Sequence, residues 1–146
     1  MAGSIYENVI GQAVRDGLLG DEQPLAAFVD TGGVRATVEA LQSAFPAHFE
    51  HMFAAKANTM SRALRLVREA GMGCEVASPG ELEQALRAGL APRQIVFDEP
   101  AKTWSVLRKV LELGVNLNID NFQEFERVAS MAGSIHNLSL IHISEP

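Results

Sequence analysis

The chain has 146 residues, 47% of them hydrophobic and 21% charged, the composition of an ordinary soluble globular domain rather than of a disordered or fibrous chain. Its formal charge of -6, from 18 acidic against 12 basic residues, counts against nucleic-acid binding, which needs a basic patch to neutralise phosphates. A lone cysteine, Cys74, excludes an internal disulfide, the first residues carry no secretory pattern, and no apolar run approaches the roughly 18 to 20 residues that span a bilayer. A cytoplasmic protein with a small-molecule ligand, and with neither nucleic acid nor membrane as partner, is the expectation.

Residues 1–23 read as an N-terminal appendage: Ile5, Val9, Ile10 and Val14 fall at near-helical spacing, and Gly17 and Gly20 break the pattern. Leu25-Ala26-Ala27-Phe28-Val29 then reads as a short strand, and Gly32-Gly33 as a turn. From Val34, the apolar residues Val38, Leu41 and Phe45 predict a helix that Pro46 stops.

A strand-then-helix unit now recurs four times. Met52–Ala55 precedes a helix with Met60, Ala63, Leu64, Val67 and Ala70 on one face, closed by Gly71. Cys74–Ala77 precedes a helix that opens at Ser78-Pro79-Gly80-Glu81, with a serine N-cap, proline at the first helical position and a glutamate placed for a capping box, and that closes at Gly89. Ile95–Phe97 precedes a helix with Val106, Leu107, Val110, Leu111 and Leu113, closed by Gly114. In the fourth unit Val115–Ile119 alternates as a strand, Asp120 and Gln123 are placed as a capping pair, and Phe122, Phe125 and Val128 form the helix face. Four such units imply an α/β fold with parallel strands and right-handed crossovers. Periodicity leaves two closures open, a doubly wound sheet and an eight-fold barrel, although the Lys56-Ala57-Asn58-Thr59 turn carries no glycine-rich phosphate loop.

Lys56 is the outlier. Period-two alternation places Met52, Ala54 and Lys56 on one face, so that in a barrel the amine would reach the C-terminal mouth, where barrel enzymes place their active sites. A partly desolvated lysine there could attack a carbonyl to form a Schiff base; the plain alternative is a solvated lysine at a strand end. The four histidines, His48, His51, His136 and His142, have no metal-ligand spacing and take no role, and no metal is expected. Cys74 reads as a small buried hydrophobe, and Trp104 and the methionines as packing. Ser78 and Asp120 are expected as N-caps, and Lys102 as a surface lysine, with an ion pair or a partner contact as the alternative because a cation is badly placed in a first helical turn.

Phe53-Ala54-Ala55-Lys56-Ala57-Asn58 resembles the Tyr-Ala-Val-Lys-Ala-Asn element of the fold-type III pyridoxal-phosphate enzymes, the group of diaminopimelate, ornithine and arginine decarboxylases. Gly73 to Leu82 is similar to the group's Gly-x-Asp-Val-Ala-Ser-x-Gly-Glu-Leu element, Ile95 to Thr103 to its third strand and Pro-x-Lys-Thr helix start, and Gly114 to Phe125 to its fourth unit. The resemblance covers about Pro24 to Val128. It implies a (β/α)8 TIM barrel of the alanine racemase-like type, of which residues 24–133 would supply the first half, with the C-terminal β-domain of complete members absent. It further implies pyridoxal 5'-phosphate on Lys56, Ala54 lining the cofactor pocket, and Glu75, in the place of the usual aspartate, holding the lysine or iminium proton. Decarboxylation of a diaminopimelate-like amino acid by a homodimer is the implied activity of the complete protein. A racemase, a cofactor-homeostasis barrel or a non-enzymatic α/β module are the rivals. Half a barrel by itself is expected to be inactive and marginally folded. Residues 134–146 do not follow the group's fifth unit, and Ser139 to Pro146 resembles translated sequencing-adapter read-through, so this tail is expected to be an artefact.

Overall fold

A computed structural model describes residues 5–133 and 140–143, in two compact units, Met1–Asp30 and Thr31–Pro146. In the first unit, α1 (Ile5–Arg15) ends where Gly17 takes a left-handed φ of 70°, and Gly20 and Gln23 exchange backbone hydrogen bonds of 3.1 Å. The strand expected at Leu25–Val29 does not form: the segment is irregular, and Leu25, Phe28 and Val29 are exposed. A short apolar run becomes a strand only when a neighbouring strand takes up its N–H and C=O groups, and this one has no such partner among the described residues.

The second unit opens with α2 (Thr31–Ala44), which starts three residues before the expected Val34, so that Gly32-Gly33 lies inside its first turn rather than in a separate turn. The first N–H groups of a helix lack intrahelical partners in any case, which makes the N-terminus the place where glycines cost least. Next come β1 (Met52–Ala54), α3 (Ser61–Glu69), β2 (Gly73–Val76), α4 (Pro79–Arg87), β3 (Ile95–Phe97), α5 (Trp104–Leu113), β4 (Asn116–Ile119), α6 (Phe122–Ala132) and β5 (Leu140–Ile143). Each strand of the four-fold repeat thus stands within a residue or two of its predicted place. Inside the tail, Leu140–Ile143 pairs in parallel with β4.

All five strands are parallel, in the order β1-β2-β3-β4-β5. A doubly wound sheet reverses its order at a switch point, whereas a (β/α)8 barrel adds each strand beside the one before it. The uninterrupted order therefore decides between the two closures, and the chain is the N-terminal part of a barrel.

The helix-facing side of the sheet forms the core: Cys74, Val76, Ile95, Phe97, Leu117 and Ile119 are fully buried with Leu64, Leu82, Leu107, Leu111 and Val128 of the helices. Each large side chain withdrawn from water there contributes roughly 1.5–3 kcal/mol before conformational entropy is subtracted. A smaller cluster of Val38, Val67 and Met72 seats α2 against α3. Gly73 is fixed by sterics, because a Cβ there would lie 2.5 Å from the Gln94 carbonyl oxygen and would overlap the Met52 sulfur.

The helix starts are built from side chains. Pro79 opens α4, the Ser78 hydroxyl accepts from the Glu81 N–H at 3.2 Å, and the Glu81 carboxylate accepts from the Ala77 N–H at 2.8 Å, one residue before the N-cap itself. The same device opens α6, with one correction of register: Asn121, not Asp120, is the N-cap, its Oδ1 accepting from the Glu124 N–H at 2.9 Å, and Glu124 rather than Gln123 reaches back, to the Asp120 N–H at 3.1 Å. Thr103 caps α5 through the Val106 N–H, and Gly114 ends it at a φ of 71°.

Candidate active site

Strand β1 ends at Ala54, and residues Ala55–Ala57 turn through a single 3-10 turn, so Lys56 stands just beyond the strand rather than in its alternation. The turn is held by the Asn58 N–H donating to the Ala55 carbonyl at 3.0 Å, and the Asn58 side chain accepts from the Met60 N–H at 3.1 Å, which leads the chain into α3. Ala55 is fully buried beneath α4, a position with room for a methyl group and little more. Lys56, the next residue, is therefore anchored at its base while its side chain stays mostly exposed.

The sheet register places Ala54 beside Glu75, Glu75 beside Val96 and Val96 beside Asn116. Their neighbours in the strands, Cys74, Val76, Phe97 and Leu117, are buried under the helices, so this row lies on the opposite, lumen face. Two of the three residues expected at the site, Ala54 and Glu75, are thus adjacent in register, and the third comes to meet them: Lys56 Nζ lies 3.9 Å from Glu75 Oε1. A pair this open is worth little to stability, so its interest is chemical. Behind it, burial, reinforced by the nearby carboxylates of Glu81 and Glu75, pushes the Cys74 thiol up to about 11. Cys74 is thus a protonated, inert packing group at neutral pH, as the sequence suggests.

Lys102 is not a surface lysine. Its side chain is fully buried, with Nζ 2.8 Å from Asp120 Oδ2 and 2.9 Å from Glu124 Oε2. The ion pair relieves the poor placement of a cation near a helix start, and it ties the turn after β3 to the turn after β4 at the same end of the sheet as Lys56. Asp120, expected as a cap, serves this lysine instead. Trp104, expected as packing, is half exposed at the start of α5, with the Arg127 guanidinium 5.9 Å from its ring centre. His48 packs against Phe49 with the rings tilted, His51 meets Phe45 edge to face, and His136 lies outside the described residues. Among the described residues, no group of three or more His, Cys, Asp or Glu is placed to hold a metal ion, and no helix is long and apolar enough to cross a membrane.

Sequence reasoning missed the roles of Asn58, Asn121 and Glu124. An N-cap signal was present at Asn121, which stands three residues before Glu124, but Asp120 and Gln123 give the same signal one residue earlier and the two patterns overlap. The burial of Lys102 has no local signal, since its partners lie 18 and 22 residues away and only the sheet brings them together.

Comparison with known proteins matches residues 31–145 to the family described as "Pyridoxal-dependent decarboxylase, pyridoxal binding domain". A diaminopimelate decarboxylase from Pseudomonas aeruginosa is 36% identical over 107 residues, covering 69% of this chain and 26% of the relative. An ornithine decarboxylase from Schizosaccharomyces pombe is 31% identical over 129 residues, covering 86% of this chain and 30% of the relative. The chain therefore spans only about a quarter to a third of the length of these relatives. The crystal structure of diaminopimelate decarboxylase from Helicobacter pylori complexed with L-lysine superposes with a TM-score of 0.66 at 28% identity, covering 72% of this chain and 27% of that one. Strand order, repeat and profile agree, and the chain belongs to the pyridoxal-dependent decarboxylases, as part of their pyridoxal-binding domain.

Proposed function

We propose that this chain supplies the cofactor-bearing lysine of a pyridoxal-phosphate-dependent amino-acid decarboxylase, and that the complete protein acts on a diaminopimelate-like substrate as a cytoplasmic homodimer. One observation carries the reading: a primary amine anchored by a buried alanine, at the C-terminal rim of a parallel barrel arc, with a carboxylate 3.9 Å away.

These residues fit the cofactor. A primary amine is the group that condenses with an aldehyde, the Glu75 carboxylate lies 3.9 Å from that nitrogen, and Ala54, with only a methyl group on the lumen face, leaves space beside them. Lys56 would hold pyridoxal phosphate through Nζ, Glu75 would keep a proton on that nitrogen, and Ala54 would line the pocket. When bound, pyridoxal phosphate supplies a ring that takes up the electron pair released as the substrate's α-carboxylate leaves as carbon dioxide. Lys56, a primary amine on a flexible four-carbon stem, could also hold a proton at Nζ within the same site. Glu75, having a longer side chain than aspartate, keeps its carboxylate within reach of Nζ without movement of β2.

The test is borohydride reduction of the full-length protein in the presence of pyridoxal phosphate, followed by peptide mapping. A pyridoxyl group on Lys56, together with carbon dioxide release from a diamino acid, is the expected outcome. Labelling without carbon dioxide from any amino acid would favour a racemase or a cofactor carrier, and the absence of a label on Lys56 would overturn the enzyme reading.

A further inference from the structure

On strand β4, Leu117 and Ile119 are fully buried beneath the helices that pack on this strand, so Asn116 and Asn118 project from the lumen face, the face that carries Ala54 and Glu75. The interior of a (β/α)8 barrel is normally filled by branched apolar side chains, and two amides in one four-residue strand depart from that rule. Asn116 is accounted for: its amide donates to the Arg93 carbonyl at 2.8 Å, near the start of the strand. Asn118 is not. It is half-buried, and its side-chain amide has no hydrogen-bond partner among the described residues.

The level of Asn118 along the sheet is informative. Ala54, Glu75, Val96 and Asn116 share one register row, and Asn118 stands two residues beyond Asn116, towards the end of the sheet at which the chain leaves β1 for the turn that carries Lys56. An arc of parallel strands curves, so a lumen-facing group on β4 looks back across the mouth towards β1. The amide of Asn118 is not among the polar atoms sealed from solvent, so it can exchange water for the oxygen of a polar ligand, which a leucine in its place could not do.

We propose that Asn118 is a ligand contact of this site, its side-chain N–H donating to an anionic oxygen of the group held at Lys56. Two sources share that chemistry, the phenolic oxygen of the pyridoxal ring and the carboxylate of the amino-acid substrate. The proposal rests on the pyridoxal reading above.

The experiment compares Asn118→Leu and Asn118→Asp with wild type in the full-length holoenzyme. It reads the visible absorbance band of the bound cofactor, the Kd for pyridoxal phosphate, KM and kcat. If the oxygen belongs to the cofactor, Asn118→Leu shifts the band and weakens pyridoxal-phosphate binding about tenfold. If it belongs to the substrate, band and cofactor Kd stay as in wild type and KM rises about tenfold, with kcat within about twofold. Asn118→Asp, nearly the same in shape and the safer variant for folding, sets a carboxylate against the anionic oxygen and is the worse of the two in either arm. Both variants within about twofold of wild type in every readout would overturn the proposal. Failure of the parent reading looks different, because the wild-type protein itself would then take no pyridoxyl label at Lys56, and the assignment of Asn118 would fall with it.

Discussion

Replacing Lys102 by methionine is expected to destabilise the barrel arc far more than the loss of one ion pair would suggest. At an effective dielectric of about 20, each of its two contacts, 2.8 and 2.9 Å, is worth about 6 kcal/mol of attraction. Taking an ammonium group and carboxylates out of water offsets this by several kcal/mol per ion, so the assembled triad is close to neutral for stability. Its removal is not. Glu124 is only 4% exposed, and without Lys102 its charge stays buried opposite the carboxylate of Asp120. Lys102→Met should therefore cost about 3–5 kcal/mol. Glu124→Gln added to it should restore at least half of that loss, because the amide oxygen can still accept from the Asp120 N–H while carrying no charge. Urea denaturation of wild type, both single variants and the double variant gives the coupling directly. A cost for Lys102→Met below about 1 kcal/mol, or strict additivity in the cycle, would refute the account of the triad as a buried, mutually compensating unit.

Other consequences are as direct. The Cys74 thiol titrates at about 11 in the folded chain against 9.0 unperturbed, so folding favours its protonated form, and the stability this brings is complete below pH 9 and is lost as pH rises through 11. Alkaline denaturation followed by circular dichroism should show that loss, on the order of 2 kcal/mol, and Cys74→Ala should flatten the profile in that window. Gly73→Ala should destabilise by roughly 1–3 kcal/mol or shift β2 out of register, since backbone at Gln94 cannot yield as a side chain could; a midpoint equal to wild type would contradict the packing described. Ser78→Ala should cost about 1 kcal/mol through the lost cap of α4, whereas Trp104→Ala, at a half-exposed position, should change stability by less than about 1 kcal/mol; thermal melts distinguish the two.

The repeat was legible because each unit carries its own punctuation. Gly71, Gly89 and Gly114 end helices in the left-handed region, Ser78-Pro79 opens one, and apolar runs of three or four residues mark strands buried on their helix side. Leu25–Val29 has the same local pattern without a neighbour to pair with, and so misleads. At the site, Lys56 stood out by type and Ala54 and Glu75 by the motif around them, but the 3-10 turn that lifts Lys56 out of the strand depends on Ala55 being pressed beneath α4, a tertiary fact. Lys102 was invisible for a related reason. Whether a lysine is buried is decided by turns some twenty residues away, and no window of local sequence contains them.

Because each strand lies beside its predecessor in the sequence, every pairing in this sheet closes a loop of one helix and two turns. Loop-closure entropy grows only slowly with length, and contacts of this modest separation form early. A chain emerging from its N-terminus can dock each unit on the last, in the order of synthesis, without waiting for distant residues. The strand laid down first has a neighbour on one side alone among the described residues, and it is three residues long. Brevity keeps that open edge from recruiting strands of other chains. The lysine that follows it is thus carried through assembly beside an edge too short to serve as a template for other strands.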